Sequence, residues 1–363
     1  MVYKQNKKNI LITGGHAATM GIAVVEQLKK TYPDLQINFI GSKNAISGSS
    51  ATTTEYKIYP SMGVKYFNII AGKLQTKFTL YTIPLILMIP IGFIHALILL
   101  FKIKPNVIVS FGGFASLPVV IWGYILGIPI ILHEQTVVFG RASKISSFFA
   151  TKIALARTES LKYFNKNKCI VTGNPIMSGV LHLKPKLNIS KKKTIFINVG
   201  SRGSEFIGDA VYKVLPYLLD KYRVIHIAGE RNFDRYKGIV NDNYQLLPFV
   251  NPLEIAKFYE QSDIVIALAG ASTISELILL KRPAIVIPLP RTFMDEQVKN
   301  AEYAKEFGVA KVIYENELSS ELLMDSIKSL FDNWQNIVNN LSNKASPDIY
   351  ASEKIVKLIV EYI

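Results

Sequence analysis

A chain of 363 residues, 49% hydrophobic and 19% charged, is not a disordered tail, and it is longer than one hydrophobic core usually serves, so two domains of roughly 150 to 200 residues are expected. Its 42 basic and 27 acidic residues leave a formal charge of +15, with a mean hydropathy of +0.24. The single cysteine, Cys169, excludes an intramolecular disulfide and a four-cysteine zinc site and points to a reducing interior.

From the N terminus, residues 1–8 are basic, but the apolar stretch 10–13 runs straight into Gly14-Gly15. It is too short for the apolar region of a signal peptide, and secretion is not expected. Runs rich in Val, Ile and Leu then alternate with helical patterns, the signature of βαβ units around a parallel sheet buried on both faces. The fold class is α/β. The first half predicts strands over 9–13, 37–42, 64–69, 106–111, 128–133, 152–156 and 169–172, with a helix over 23–29. Residues 78–101 are nearly uncharged and long enough to span a bilayer. Pro84, Pro90 and His95 interrupt them, however, and a crossing would separate 106–111 from its sheet partner 9–13. The preferred reading is an interfacial loop and helix. It places Leu85, Ile86, Leu87, Met88, Ile91, Phe93 and Ile94 at the headgroup boundary and Lys73, Lys77, Lys102 and Lys104 beside anionic lipid. A fully buried core helix is the alternative.

Pro185 and Lys191-Lys192-Lys193 mark an interdomain linker. The second half predicts strands over 194–199, 223–228, 244–249, 264–268, 284–288 and 310–314, a helix over 207–219 and an amphipathic helix over 352–362. The expected organisation is an N-terminal domain over 1–180, a linker over 181–193, a C-terminal domain over 194–345, and a stretch over 346–363 able to pack back on the N-terminal domain.

The positive surplus suits nucleic acid, an anionic membrane or an acidic substrate. Zinc-finger spacing, single-strand-binding aromatic signatures and long basic helices are missing from the sequence, so a nucleic-acid partner is not expected.

Each half opens with an apolar strand, a Gly-bearing loop and a helix, a turn whose N–H groups approach an anion at the positive end of a helix. Thr13-Gly14-Gly15-His16 lacks the G-x-G-x-x-G spacing and the acidic residue of a dinucleotide site, so Gly14 and Gly15 form either an anion loop or a tight turn. In the second half, Ala269-Gly270-Ala271-Ser272-Thr273-Ile274-Ser275-Glu276 follows a strand and suits a diphosphate; read locally, Thr273-x-x-Glu276 is a capping box, which the pattern favours. Gln297 and Asn300 share a helix face after a polar loop, placed either to read sugar hydroxyls or as an exposed polar helix start. His16 and His133 fall at carboxyl ends of strands; a neutral imidazole there accepts a hydroxyl proton, and His16 is the better candidate. His95, His182 and His226 have no identifiable partner, and no His, Asp and Glu group has metal-ligand spacing.

Taken together, Thr13-Gly14-Gly15-His16, Gly112-Gly113-Phe114-Ala115-Ser116-Leu117-Pro118, His133-Glu134-Gln135, Gly173-Asn174-Pro175, Gly200-Ser201-Arg202-Gly203, Gly270 to Glu276 and Asp295-Glu296-Gln297 with Asn300-Ala301 resemble, in order and spacing, the MurG family of glycosyltransferases. These are peripheral membrane enzymes that make lipid II, and the resemblance covers nearly the whole chain. It implies a GT-B fold, two Rossmann-like doubly wound parallel-sheet domains facing across a cleft. It also implies inverting transfer of GlcNAc from UDP-GlcNAc to the 4-hydroxyl of undecaprenyl-diphosphate-linked MurNAc-pentapeptide, in peptidoglycan synthesis at the cytoplasmic face of the membrane, with no cofactor and no metal. On the matching positions, Ser201 contacts the diphosphate, the Val250 backbone faces uracil, and Ala271, Ser272 and Thr273 line the phosphate and sugar loop. Glu276 holds the ribose hydroxyls and Gln297 reads the GlcNAc hydroxyls. Thr13, Gly14 and Gly15 form the acceptor-phosphate loop, His16 is the candidate base, Gly112 and Gly113 open a second acceptor loop, and Thr136 takes the substrate-binding position where the family has asparagine. Other departures are Leu11-Ile12 for two glycines, Thr19-Met20 for Pro-Gly, Met177 for an arginine and Leu268 for a basic residue. Alternatives are a UDP-sugar transferase acting on another lipid, such as a diacylglycerol, or a catalytically silent relative.

Overall fold

The computed structural model describes residues 8–15, 18–44, 52–70, 82–200 and 203–363, with side chains throughout except at 82–87. The uninterrupted apolar runs become the inner strands of two all-parallel sheets, because a strand covered on both faces has no polar side; the edge strands are only partly buried. The first holds β1 (Asn9–Thr13), β2 (Gln36–Gly41), β3 (Lys65–Asn68), β4 (Val107–Ser110), β5 (Ile130–Glu134), β6 (Lys152–Leu155) and β7 (Cys169–Val171), in the order β3-β2-β1-β4-β5-β6-β7. The second holds β8 (Thr194–Asn198), β9 (Arg223–Ile227), β10 (Tyr244–Leu247), β11 (Ile264–Leu268), β12 (Ala284–Ile287) and β13 (Ala310–Val312), in the order β10-β9-β8-β11-β12-β13. All thirteen expected strands form, most of them slightly shorter than the sequence pattern. Strand order reverses between β1 and β4 and between β8 and β11, and at such switch points an open α/β sheet leaves a crevice beyond its carboxyl ends.

The chain divides into two units, Met1–Met177 with Tyr350–Ile363, and Ser178–Ile349. In the first, the helix Ala351–Val360 buries Ile355, Val356, Leu358 and Ile359 and packs against the helix Ala18–Thr31. Residues 178–193, which include the stretch read as a linker, group with the second unit. Asp263, just before β11, is fully buried and holds them there. Its Oδ1 accepts from Lys186 Nζ at 2.7 Å, from the Ser190 amide at 2.9 Å and from Ser190 Oγ at 3.0 Å, while Oδ2 accepts from the Thr194 amide at 2.7 Å. Trp334 Nε1 donates to the Asp263 carbonyl at 2.8 Å, and Arg282 donates to the adjacent Ser262 carbonyl at 2.7 Å.

The helix Thr82–Ile103 runs through Pro90 without a break, and His95 does not interrupt it: its Nδ1 accepts from the Ile70 amide at 3.2 Å. Over its described side chains the helix has two faces. Ala96, Leu99, Leu100 and Ile103, at i, i+3, i+4 and i+7, join the core, whereas Ile91, Ile94, Ile98 and Phe101 are exposed. The fully buried alternative is therefore overturned for this half of the segment; Leu85, Ile86 and Leu87, and Lys73 and Lys77, lie outside what the structure describes of side chains. Among the described residues no helix is long and apolar enough to cross a membrane.

Candidate active site

At the switch point of the first unit, the loops after β1 and β4 interlock. The Gly15 amide donates to the Gly112 carbonyl at 3.1 Å, and Gly112 and Gly113 have φ of 75° and 90°. A Cβ at Gly113 would stand 2.9 Å from the Gly15 nitrogen, so this approach needs glycine for its space as well as its backbone angle. Thr13 is fully buried and donates its hydroxyl to the Ile40 carbonyl at 2.9 Å, so it offers the loop only its backbone. Next to them, the loop after β5 folds around Glu134. This buried carboxylate accepts from the amides of Gln135 at 2.9 Å, Thr136 at 3.3 Å and Gly140 at 3.1 Å, and from Thr136 Oγ1 at 3.2 Å. Burial pushes its pKa up, against the pull of these bonds. His133 Nε2 donates to the Gly173 carbonyl at 3.1 Å and Asn174 Nδ2 to the Gln135 carbonyl at 2.9 Å, pinning this loop to the one after β7. His133 thus orients a loop, and the Thr136 hydroxyl is engaged within the same turn.

At the switch point of the second unit, β11 leads through Ala269 into the helix Ala271–Leu280, whose cap residue is Gly270. The expected capping box does not form: the helix starts at Ala271, its cap residue Gly270 has no side chain to offer, and Glu276 turns away to accept from the buried hydroxyl of Tyr259 at 2.8 Å. First-turn N–H groups have no intrahelical acceptor, so the positive end of this helix, with half-buried Ala271, Ser272 and Thr273, opens at the carboxyl edge of the sheet. Asn300 Nδ2 holds the loop from the side through the Ala269 carbonyl at 3.2 Å. Glu276 is buried, and desolvation raises its carboxyl to about 7, while the Tyr259 hydrogen bond acts in the opposite direction.

Between β12 and the helix Glu296–Phe307, three non-glycine residues, Arg291, Met294 and Asp295, have φ between 53° and 58°. Gln297 ties this strained loop down, accepting the Leu289 amide on Oε1 at 3.0 Å and donating its own amide to Thr292 Oγ1 at 3.2 Å. With Oε1 so engaged, Gln297 presents a donor, its NH₂. Val250 is half-buried in the turn after β10. His16 and Ser201 lie outside the described residues, as does Arg202. His226 has a partner the sequence did not reveal: its Nδ1 lies 2.9 Å from the Tyr244 hydroxyl, and burial lowers its pKa to about 3. Among the described residues no cluster of three or more His, Cys, Asp or Glu is placed to hold a metal ion.

Two parallel-sheet units with glycine-rich and helix-terminal loops at their switch points have the make-up of the GT-B fold, and the family models assign it to a glycosyltransferase. Residues 13–155 match the model of the Glycosyltransferase family 28 N-terminal domain and residues 194–359 that of its C-terminal domain. The UDP-N-acetylglucosamine–N-acetylmuramyl-(pentapeptide) pyrophosphoryl-undecaprenol N-acetylglucosamine transferase of Clostridium kluyveri is 33% identical over 98% of this chain and 99% of its own length. Its Clostridium perfringens counterpart is 36% identical over 92% of this chain and 93% of its own. The chain belongs to the MurG family. The crystal structure of Acinetobacter baumannii MurG shares its fold, with a TM-score of 0.68 at 21% identity over 98% of this chain and 99% of that one.

Proposed function

We infer that this chain transfers N-acetylglucosamine from UDP to the 4-hydroxyl of the MurNAc-pentapeptide carried on undecaprenyl diphosphate. The observation that carries the reading is the match, over nearly the whole of both chains, to relatives named for that reaction. The site geometry supports the division of labour. In the second unit, the positive end of the Ala271–Leu280 helix with Ala271, Ser272 and Thr273 receives the diphosphate, together with Ser201; Glu276 accepts the ribose hydroxyls, the Val250 backbone faces uracil, and the Gln297 NH₂ donates to a sugar hydroxyl oxygen. The first unit binds the acceptor, its diphosphate beside the Gly14-Gly15 and Gly112-Gly113 loops, in which the Gly15 amide is already given to the Gly112 carbonyl and the Gly112 amide to Ser110 Oγ.

The reaction is a single displacement. His16 takes the proton of the 4-hydroxyl, the oxygen forms a bond to the anomeric carbon from the face opposite UDP, and the bond to the diphosphate oxygen breaks with its electrons on UDP, leaving a β-1,4 link. Loop N–H groups and the helix dipole stabilise the negative charge on the leaving diphosphate. Holding two substrates in line supplies much of the rate.

The acceptor is a lipid, and the first unit carries a surface suited to it. Exposed Ile91, Ile94, Ile98 and Phe101 of the Thr82–Ile103 helix, Tyr124 and Ile125 of the helix Leu117–Ile125, and Phe148, 70% exposed, of the helix Arg141–Phe149 lie on three helices packed side by side. Exposed Lys102 and Lys104 flank them. This supports peripheral attachment to an anionic membrane, on the side where UDP-GlcNAc is found.

The test is transfer of radiolabelled GlcNAc from its UDP donor to purified lipid I, with EDTA present and a diacylglycerol acceptor in parallel. Labelled lipid II in EDTA supports the reading. Label on the diacylglycerol alone replaces the acceptor, no transfer to either leaves a catalytically silent relative, and activity lost only in EDTA overturns the metal-free mechanism.

A further inference from the structure

Glu276 is held from another element. Tyr259, on the helix Ala256–Gln261, is fully buried, donates its hydroxyl to Glu276 Oε2 at 2.8 Å, and sets its ring edge-on to Phe196 of β8 at 5.4 Å. The ring is fixed by packing, so the hydroxyl is a fixed donor, and the bond fixes one carboxyl oxygen and with it the plane of the group. Vicinal hydroxyls are donors that a carboxylate accepts best with that plane already set. We propose that Tyr259 is a positioning residue for the nucleotide, its hydroxyl setting the orientation in which the Glu276 carboxyl meets the two hydroxyls of ribose. This rests on the reading of Glu276 as the ribose acceptor.

The same bond has a second effect. Burial raises Glu276 to about 7, so near neutral pH a large share of the free protein holds it protonated, with one acceptor fewer. Ribose selects the ionised form, and the Tyr259 hydrogen bond stabilises that form against burial. Tyr259 is the titratable side chain that acts on it; the helix Ser178–Leu181, packed on the Ala271–Leu280 helix, carries none. On the Tyr259 helix, Lys257 and Glu260 are exposed, and on the Glu296–Phe307 helix Glu302 pairs with Lys305.

The experiment is calorimetric titration of the full chain with UDP between pH 6 and 9, for the wild type, Tyr259→Phe, Glu276→Gln and the double variant. Wild-type affinity is expected to fall as pH drops through about 7. Tyr259→Phe, which keeps the ring, is expected to bind roughly tenfold more weakly at pH 7, the worth of a hydrogen bond to a charged group, with the deficit narrowing toward pH 9. In the Glu276→Gln background the same change should add nothing. Equal wild-type and Tyr259→Phe affinities, or a loss of the same size at every pH and in both backgrounds, overturn the proposal. A measurement that needs no variant is the proton count: titration in buffers of different ionisation enthalpy should show the wild type releasing protons on binding UDP near pH 7, and no release overturns the proposal too. A wild type that binds no UDP at all removes the nucleotide reading itself, and the proposal falls with it.

Discussion

Replacing Asp263 by alanine takes away the acceptor that ties residues 186–194 to the second sheet. Four bonds to its carboxylate go at once, from Lys186, twice from Ser190 and from Thr194. They do not weigh equally. Lys186 has a side-chain exposure of 21% and can turn to water, whereas the Thr194 amide, at the start of β8, is buried and keeps no acceptor. An orphaned buried donor together with the loss of charge-assisted bonds costs about 3–5 kcal/mol. For a unit of this size that is a fall in Tm of roughly 6–20 °C, read by scanning calorimetry. Hydrogen exchange localises it, since protection at the Thr194 amide should drop with the global change. Asp263→Asn should be nearly as harmful, because its NH₂ would face a donor. A shift below about 2 °C, or full protection at Thr194, would refute the idea that this carboxylate organises the segment.

The remaining predictions concern charge, space and surface. Because burial raises Glu276 from its ordinary 4.5 to about 7, the folded chain without ligand binds that proton more tightly than the unfolded one; the stability it contributes is fully present below about 4.5 and is lost as pH rises through about 7. The difference is about 3 kcal/mol, and denaturation against pH should show a flatter profile for Glu276→Gln. Gly113→Ala would set a Cβ 2.9 Å from the Gly15 nitrogen at a φ of 90°, so both transfer to lipid I and thermal stability should fall, the latter by at least about 1–2 kcal/mol. Phe148→Glu removes an exposed ring from the apolar surface and should lower the partition of the protein onto anionic vesicles roughly tenfold in a sedimentation assay, with little change in Tm.

The inner strands were legible because burial on both faces leaves an unbroken apolar run, a property of the segment alone, whereas the edge strands β3, β7, β10 and β13 are only partly covered. The site was legible as loops and less so as side chains. Thr273-x-x-Glu276 has the spacing of a capping box, yet Gly270 takes the extended cap conformation and the helix starts at Ala271, while the partner of Glu276 lies 17 positions upstream. No local pattern carries that pairing, and Tyr259 reads as one more aromatic in a short helix. His226 and Tyr244 are 18 positions apart and meet because β9 and β10 are neighbours. The hydroxyls of Thr13 and Thr136 stand within their motifs, but their bonds point into the fold. Proline and histidine read as interruptions of 78–101, although the helix runs on from Thr82 to Ile103 and a backbone amide engages His95.

The helix Ala351–Val360 covers a helix of the first unit although the whole of Ser178–Ile349 is threaded between them. Order of synthesis and order of completion are therefore reversed. On a ribosome adding roughly 5–20 residues per second, the second unit is finished first, and the face of the Ala18–Thr31 helix waits on the order of 15–65 s for its cover. An apolar surface exposed for that long is open to chaperones and to other nascent chains, and no single cut in the sequence yields both units whole.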